Sequence, residues 1–494
     1  MHRRIPIFYS ALLLTGVNLL LRFAGTSFQV YLSGKIGPAG IGLLQLVLSV
    51  GSLAMVAGMA GIRTTAMYLT AEELGKKKPG NIIWVLSGCF RYSLTISGLV
   101  ALLLWFSSPV IAQHWIRDPR CEDALRLFAC FLPVSCLCGV MTGYFTAANR
   151  IGTLAAVEVA EQICSMGITL LLLHYWARSD PGRACQSVIL GSSMGGCFTL
   201  LCLLFLRFLE HPVHGRRIPV AHRLKYTAAP LAVADVLKSG INTAENLMVP
   251  RRLSRNTSVV NPLASFGMVS GMVFPVMMFP ACILFGLAEL LIPELARCEA
   301  ARNRERIRYL VHRSLHCTML YGFAFGGLIY LLAEPLCMRL YGSAEASLHL
   351  RLYSLLIPML YCDSIVDAMT KGLGQQKICV RYNILTSGLD VLFLFFLLPK
   401  YGMIGYFVSF MLTHLVNFLL SLRRLLSIAG EQIPFYLPVT VCSASIISIL
   451  GASLLRQPIP KGGAYLALLG SSLYLLGIVR KSDLIWIRNL VYKK

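Results

Sequence analysis

The chain has 494 residues, of which 56% are hydrophobic and 14% charged, and its formal net charge is +23. Soluble domains average about 25% charged residues, so little room is left for a soluble domain and an all-α integral membrane protein is expected. A basic surplus in a soluble protein would point to nucleic acid, but no basic stretch carries the stacking aromatics of such a module. Positive loops facing anionic lipid produce the same surplus, and no nucleic-acid partner is expected.

A helix needs about 20 apolar residues to cross a bilayer core, and about fourteen stretches of that length follow one another here. The first half holds Pro6–Leu32, Ala39–Ile62, Asn81–Ser107, Ala124–Phe145, Thr153–Ala177 and Ser187–Leu209. The basic segment His211–Lys225 separates these from Tyr226–Val249, Ser265–Leu295, Ile307–Ala333, Leu350–Met369, Ile378–Leu398 and Gly402–Leu422. A terminal pair follows, Pro434–Leu454 and Gly463–Val479. The expected organisation is a six-helix lobe over residues 1–210, a cytoplasmic connector over 211–225, a second six-helix lobe over 226–430, and a helix pair with a cytoplasmic tail over 431–494. Lysines and arginines gather in alternate gaps at a ratio of about two to one, which puts both termini in the cytoplasm. The first stretch follows Met1-His2-Arg3-Arg4 without a small-residue cleavage site and reads as a retained anchor.

The halves share a faint likeness. Pro6, Gly16 and Asn18 of the first stretch align at one offset with Pro230, Gly240 and Asn242 of the seventh. Pro275 and Pro280, following Gly267 and Gly271, predict a bend in the eighth stretch.

Charges inside a bilayer are costly and imply a cavity or a partner. Asp235, Lys238, Asn242 and Glu245 recur at helical spacing on one face of the seventh stretch. Thr15, Asn18, Arg22 and Gln29 do the same in the first. Two readings are open. Asp235 and Lys238 neutralise each other within a turn and glue helices together, or both stripes line a cavity in which Arg22 and Lys238 draw an anionic head group. Asp363 and Asp367, followed by Lys371, form a polar edge of the tenth stretch; Arg91 and Asp390 stand singly, and Glu158 and Glu161 lie near the inner end of the fifth. Asp235, Glu245, Asp363 and Asp367 are candidates for binding a coupling Na+ or H+.

The 16 cysteines lie mostly within apolar stretches, where they act as small hydrophobes. Metal-ligand spacing, HExxH, the Walker lysine motif and G-x-S-x-G are all absent from the sequence. Neither a catalytic site, a metal nor an organic cofactor is expected, and the chain reads as a non-enzyme.

Several segments carry a family resemblance. They are LLRFAGTSFQVYLSGKIGPAGIGLLQL (Leu20–Leu46), GIRTTAMYLTAEELG (Gly61–Gly75), FPVMMFPACILFGLAELLIPEL (Phe274–Leu295), YCDSIVDAMTKGLGQQ (Tyr361–Gln376) and LLPKYGMIGYF (Leu397–Phe407). Together they resemble the polysaccharide and lipid-linked oligosaccharide exporters of the multidrug/oligosaccharidyl-lipid/polysaccharide superfamily, and within it the stage V sporulation protein B group. The resemblance implies two six-helix lobes plus two helices, with alternating access around a cationic cavity in the bacterial plasma membrane. The implied cargo is an undecaprenyl-pyrophosphate-linked saccharide for peptidoglycan, spore cortex or a surface polysaccharide. Arg22 matches the first of two arginines often found in the family's first helix, and Gln29 stands at the second. Arg63 replaces a usual proline and restores a cation near the inner mouth. Arg22, Asn18, Lys238, Asn242 and Arg63 are therefore the expected cavity residues. Membrane lipids, the lipid-linked saccharide and glycan-synthesis proteins are the expected partners of a monomeric chain. The alternatives are an ion-coupled multidrug exporter, a membrane glycan ligase or polymerase, and a non-transporting scaffold.

Overall fold

A computed structural model describes residues 7–76, 79–148, 150–177, 180–209, 221–430, 436–455 and 457–478. Most of the connector His211–Lys225 and the carboxyl-terminal tail lie outside the described residues. Helices account for nearly all of the rest, and there is no strand among the described residues. Apolar solvent dictates this, because a helix satisfies its own backbone hydrogen bonds where no water can.

In chain order the helices are α1 (Ile7–Met59), α2 (Ile62–Gly75), α3 (Ile82–Val110), α4 (Glu122–Ala147), α5 (Ile151–Leu172), α6 (Pro181–Phe208), α7 (Ala221–Leu253) and α8 (Pro262–Gly267). They continue as α9 (Phe274–Met278), α10 (Ala281–Ala300), α11 (Arg304–Tyr341), α12 (Ala344–Ser354), α13 (Ile357–Gly372), α14 (Gln376–Ala429), α15 (Tyr436–Ser453) and α16 (Pro458–Leu475). Side-chain caps start several of them. Asp180 accepts from Gly182 N with Pro181 in the first turn of α6, Asn303 accepts from Arg306 N at α11, and Ser343 accepts from Ala346 N at α12.

Two of these elements each hold two expected spans. In α1 the backbone turns at Gly37 (φ 80°, ψ 170°) just before Pro38, and in α14 it turns at Gly402 (φ 57°, ψ −134°). Both are conformations that L side chains resist. By length and apolarity, eight helices among the described residues are able to cross a membrane, or ten when each bent pair counts as one span. The expected count of fourteen is not reached on that criterion. One reason is that α7 carries Asp235, Lys238 and Glu245 close together. The bend expected from Pro275 and Pro280 is present: the chain turns by 65° between Met278 and Ala281.

The chain divides into two compact units, residues 1–271 with 387–409, and residues 272–386 with 410–494. In the first, α4 packs against α2, α3 and α6, and α1 packs against α7 and α8. Its core holds Ile62, Leu69, Val85, Cys89, Met141, Tyr144 and Phe145. The α1–α8 crossing is unusually close, since a Cβ on Gly267 would stand 2.0 Å from Pro38 O and one on Gly42 2.4 Å from Leu263 O. Small residues permit this approach in membrane interfaces.

In the second unit, α13 packs on α10 and α11, and the pair α15–α16 packs on α11. Prolines at the α9–α10 break remove backbone donors. Two tyrosines supply hydroxyl donors there: Tyr361 to Met277 O and Tyr321 to Pro280 O, both at 2.7 Å. Tyr465 of α16 donates to Phe323 O of α11 at 2.8 Å and lies 3.0 Å from Ser445 Oγ of α15.

Candidate functional site

Helix α7 presents its polar stripe within the first unit. Thr243 Oγ1 donates to Ser49 O of α1 at 2.9 Å, and Asn246 Nδ2 donates to Ser49 Oγ at 3.0 Å. These bonds fix the rotation of α7 against α1, with Asn246 one turn beyond Asn242 on the face that carries Asp235 and Lys238. That side faces a cavity of about 380 Å³ lined by Val56, Met59, Gly61, Arg63, Thr64, Asp235, Lys238, Ser239 and Asn242.

Arg63 reaches the cavity from the start of α2. Gly61, at φ 70°, ends α1 and lets the chain turn into α2, with Thr65 N bonded to Gly61 O at 3.1 Å. Gly143 lets α4 press against this turn, since a Cβ there would stand 2.5 Å from Arg63 O. Glu158 of α5 lies within electrostatic reach of the Arg63 guanidinium. Four expected residues, Arg63, Asp235, Lys238 and Asn242, are thus brought together. Arg63, Asp235 and Lys238 take part in no ion pair among the described residues. The mutual neutralisation of Asp235 and Lys238 considered from sequence is therefore not made, and two cations face the cavity with one carboxylate.

Other expected residues lie elsewhere. Arg22 is exposed on α1 and is not among the residues lining the cavity. Gly25, on the next turn, faces Gln162 of α5. The Asn18 side chain lies outside the described residues. Glu245 sits further along α7, where Ser387 hydrogen-bonds it and Asp390 of α14 is its charged neighbour. Its Oε1 is buried without a hydrogen-bond partner. Asp390 accepts from Ser409 Oγ at 2.6 Å. Asp363 and Asp367 belong to the second unit, where Asn417 Nδ2 donates to Asp363 at 3.3 Å and Lys371 pairs with Asp367. Arg91 bonds back to Ser87. No cluster of three or more His, Cys, Asp or Glu able to hold a metal occurs among the described residues.

Sequence reading missed two neighbours, Glu158 of Arg63 and Asp390 of Glu245. Asp390 reads as a single charge and Glu158 as part of an interfacial pair with Glu161, and neither proximity leaves a local signal because each joins distant helices.

The helices and the polar cavity among them define a multi-pass, all-helical membrane protein of transporter architecture. The chain belongs to the polysaccharide biosynthesis protein family, whose pattern matches residues 36–348. It is similar to Stage V sporulation protein B of Bacillus subtilis (strain 168), with 20% identity over 415 residues, 80% of this chain and 78% of that one. Its fold is similar to that of the lipid II flippase MurJ in an inward closed conformation, with a TM-score of 0.72, 14% identity, and coverage of 95% of this chain and 100% of that one. It is also similar to an inward-facing multidrug resistance MATE family transporter of the MOP superfamily, with a TM-score of 0.63, 12% identity, and coverage of 85% and 100%.

Proposed function

We propose that this protein is an alternating-access flippase that carries a lipid-linked oligosaccharide, joined to undecaprenyl through pyrophosphate, outward across a bacterial plasma membrane. The observation that carries the reading is the cavity in which Arg63 and Lys238 stand without ion-paired carboxylates. The barrier to such transport is the desolvation of a charged head group in hydrocarbon. Cations held in a hydrated cavity lower that barrier, and the planar fork of Arg63 fits phosphate oxygens in pairs. Asn242, Ser239 and Thr64 add hydrogen-bonding groups suited to sugar hydroxyls. A cavity built for organic cations would carry the opposite balance of charge, so the multidrug reading is the weaker one.

In this reading both termini are cytoplasmic, the chain acts as a monomer, and residues 1–210 and 226–430 are the two lobes. The coupling ion, Na+ or H+, is taken by carboxylates among Asp235, Glu245, Asp363 and Asp367. Glycan-synthesis proteins supply the cargo and use it, with no catalysis by the chain itself.

The test is transport of a fluorescent polyprenyl-pyrophosphate glycan in proteoliposomes. A charge-assisted hydrogen bond contributes about 1.5–3 kcal/mol, so Arg63→Ala and Lys238→Ala should each weaken cargo retention by about tenfold to a hundredfold. Wild-type transport in both variants would sink the assignment.

A further inference from the structure

A second concentration of positive charge lies at the far end of α7. Arg251 and Arg252 close the helix, and Arg255 follows in a tight turn, with Arg255 N bonded to Arg252 O at 3.1 Å and Asn256 N to Leu253 O at 3.0 Å. The turn is rigidly held. Leu253 is fully buried, Asn256 Nδ2 donates to Pro399 O at 3.0 Å, and Asn256 Oδ1 accepts from Ser258 N at 3.0 Å. This clamp sets the arginines beside the break in α14, where Lys400 is exposed. The Arg252 guanidinium lies 3.3 Å from the centroid of the Phe395 ring. Burial, Arg255 and Arg251 together push its pKa down.

A cation at a helix C-terminus is stabilised by the helix dipole, by about 0.3–1 kcal/mol. One arginine suffices for that, and further ones repel it. None of Arg251, Arg252, Arg255 and Lys400 has an ion pair among the described residues. Beside them Phe396 is 64% exposed, Tyr401 52% and Val260 100%, an apolar and aromatic rim of the kind found at head-group level. Arg252 also continues the helical face of Asp235, Lys238, Asn242 and Glu245. From Asp235 to Arg252 the helix rises about 25 Å, close to the thickness of a bilayer core of about 30 Å. The arginines thus lie most of a bilayer core's depth away from Asp235, and in the proposed orientation they stand at the outer end of α7, against the usual bias of basic residues.

We infer that Arg251, Arg252, Arg255 and Lys400 form an extracytoplasmic receiving site for the diphosphate head group of a polyprenyl lipid. The inference rests on the proposed transport reading and its orientation. Several uncompensated cations match the dense charge of a diphosphate better than the single charge of a phosphodiester lipid, and arginine forks suit its oxygens.

The probe is undecaprenyl diphosphate in phosphatidylcholine nanodiscs, with retained lipid read by native mass spectrometry. An Arg63→Gln/Lys238→Gln background removes the cavity's contribution. In that background the protein should keep the lipid. Adding Arg251→Gln, Arg252→Gln and Arg255→Gln should reduce retention at least tenfold, and lysine at the same positions should restore part of it. Phosphatidylglycerol should be held at least tenfold less well. Unchanged retention in the glutamine variant, or equal retention of phosphatidylglycerol, overturns the site. Labelling of Ser254→Cys by an impermeant maleimide in intact cells supports the outer placement, and labelling only after permeabilisation overturns it. Wild-type protein that binds the lipid here yet moves no glycan lipid would remove the transport reading and leave the binding site standing.

Discussion

Glu245 is a half-buried carboxylate of α7 that faces a second carboxylate. Its Oε1 is buried without a hydrogen bond and the Asp390 carboxylate is its charged neighbour, an arrangement of two carboxylates suited to hold a shared cation. Replacing it with the isosteric Glu245→Gln should preserve folding. If Glu245 takes the coupling ion, the dependence of transport on a Na+ or H+ gradient should fall at least tenfold, and an unchanged gradient dependence would assign coupling to another carboxylate. The α7 stripe itself was legible in the sequence, because side chains three and four apart share a helical face whatever the surroundings. Arg63 was found only through a family resemblance, as a departure from a usual proline. Glu158 was visible as a charge but not as its neighbour, since nothing local to α5 announces α2. Arg22 was legible as a costly charge in an apolar stretch, and it stands exposed on α1 outside the lining of the cavity beside α7.

Backbone proximity, more than apolar burial, sets the geometry of the elements. Lipid is as apolar as leucine, so membrane helices gain by close packing and by polar contacts between them. At the α1–α8 crossing there is no space for a methyl group on Gly267, and backbone atoms cannot step aside as a flexible side chain can. Gly267→Ala should therefore cost about 1–3 kcal/mol or more, read as a lower unfolding temperature in detergent. The α9–α10 break responds differently. Tyr361→Phe removes one hydroxyl and leaves Met277 O unpaired, at a cost of about 1–3 kcal/mol, measurable in the same experiment; no change would mean that the bend satisfies that carbonyl in another way. Pro275 and Pro280 made the bend readable in advance. The tyrosines that stabilise it were not readable, because Tyr361 and Tyr321 are supplied by helices far along the chain.

For the molecule as a whole, hydropathy set the class correctly, and the charge pattern gave an orientation that can be tested. Cysteines placed at Ser254 and at Ala301 should be labelled from opposite sides of the membrane; labelling of both from one side would refute the alternation of loops. The count of spans depends on how turns are treated, because α1 and α14 each hold two expected spans across a turn at Gly37 or Gly402 and α7 carries charges within its apolar stretch. The carboxyl-terminal pair has a further consequence. Tyr465 fills the notch at Gly327, where a Cβ would stand 2.1 Å from its hydroxyl, and it bonds to Phe323 O. Until translation reaches that tyrosine, α11 keeps an open slot at Gly327 in its wall. Packing around α11 is therefore completed only once α16 has been added. A chain ended at residue 430 should accordingly be cleared by membrane proteases faster than the full-length protein.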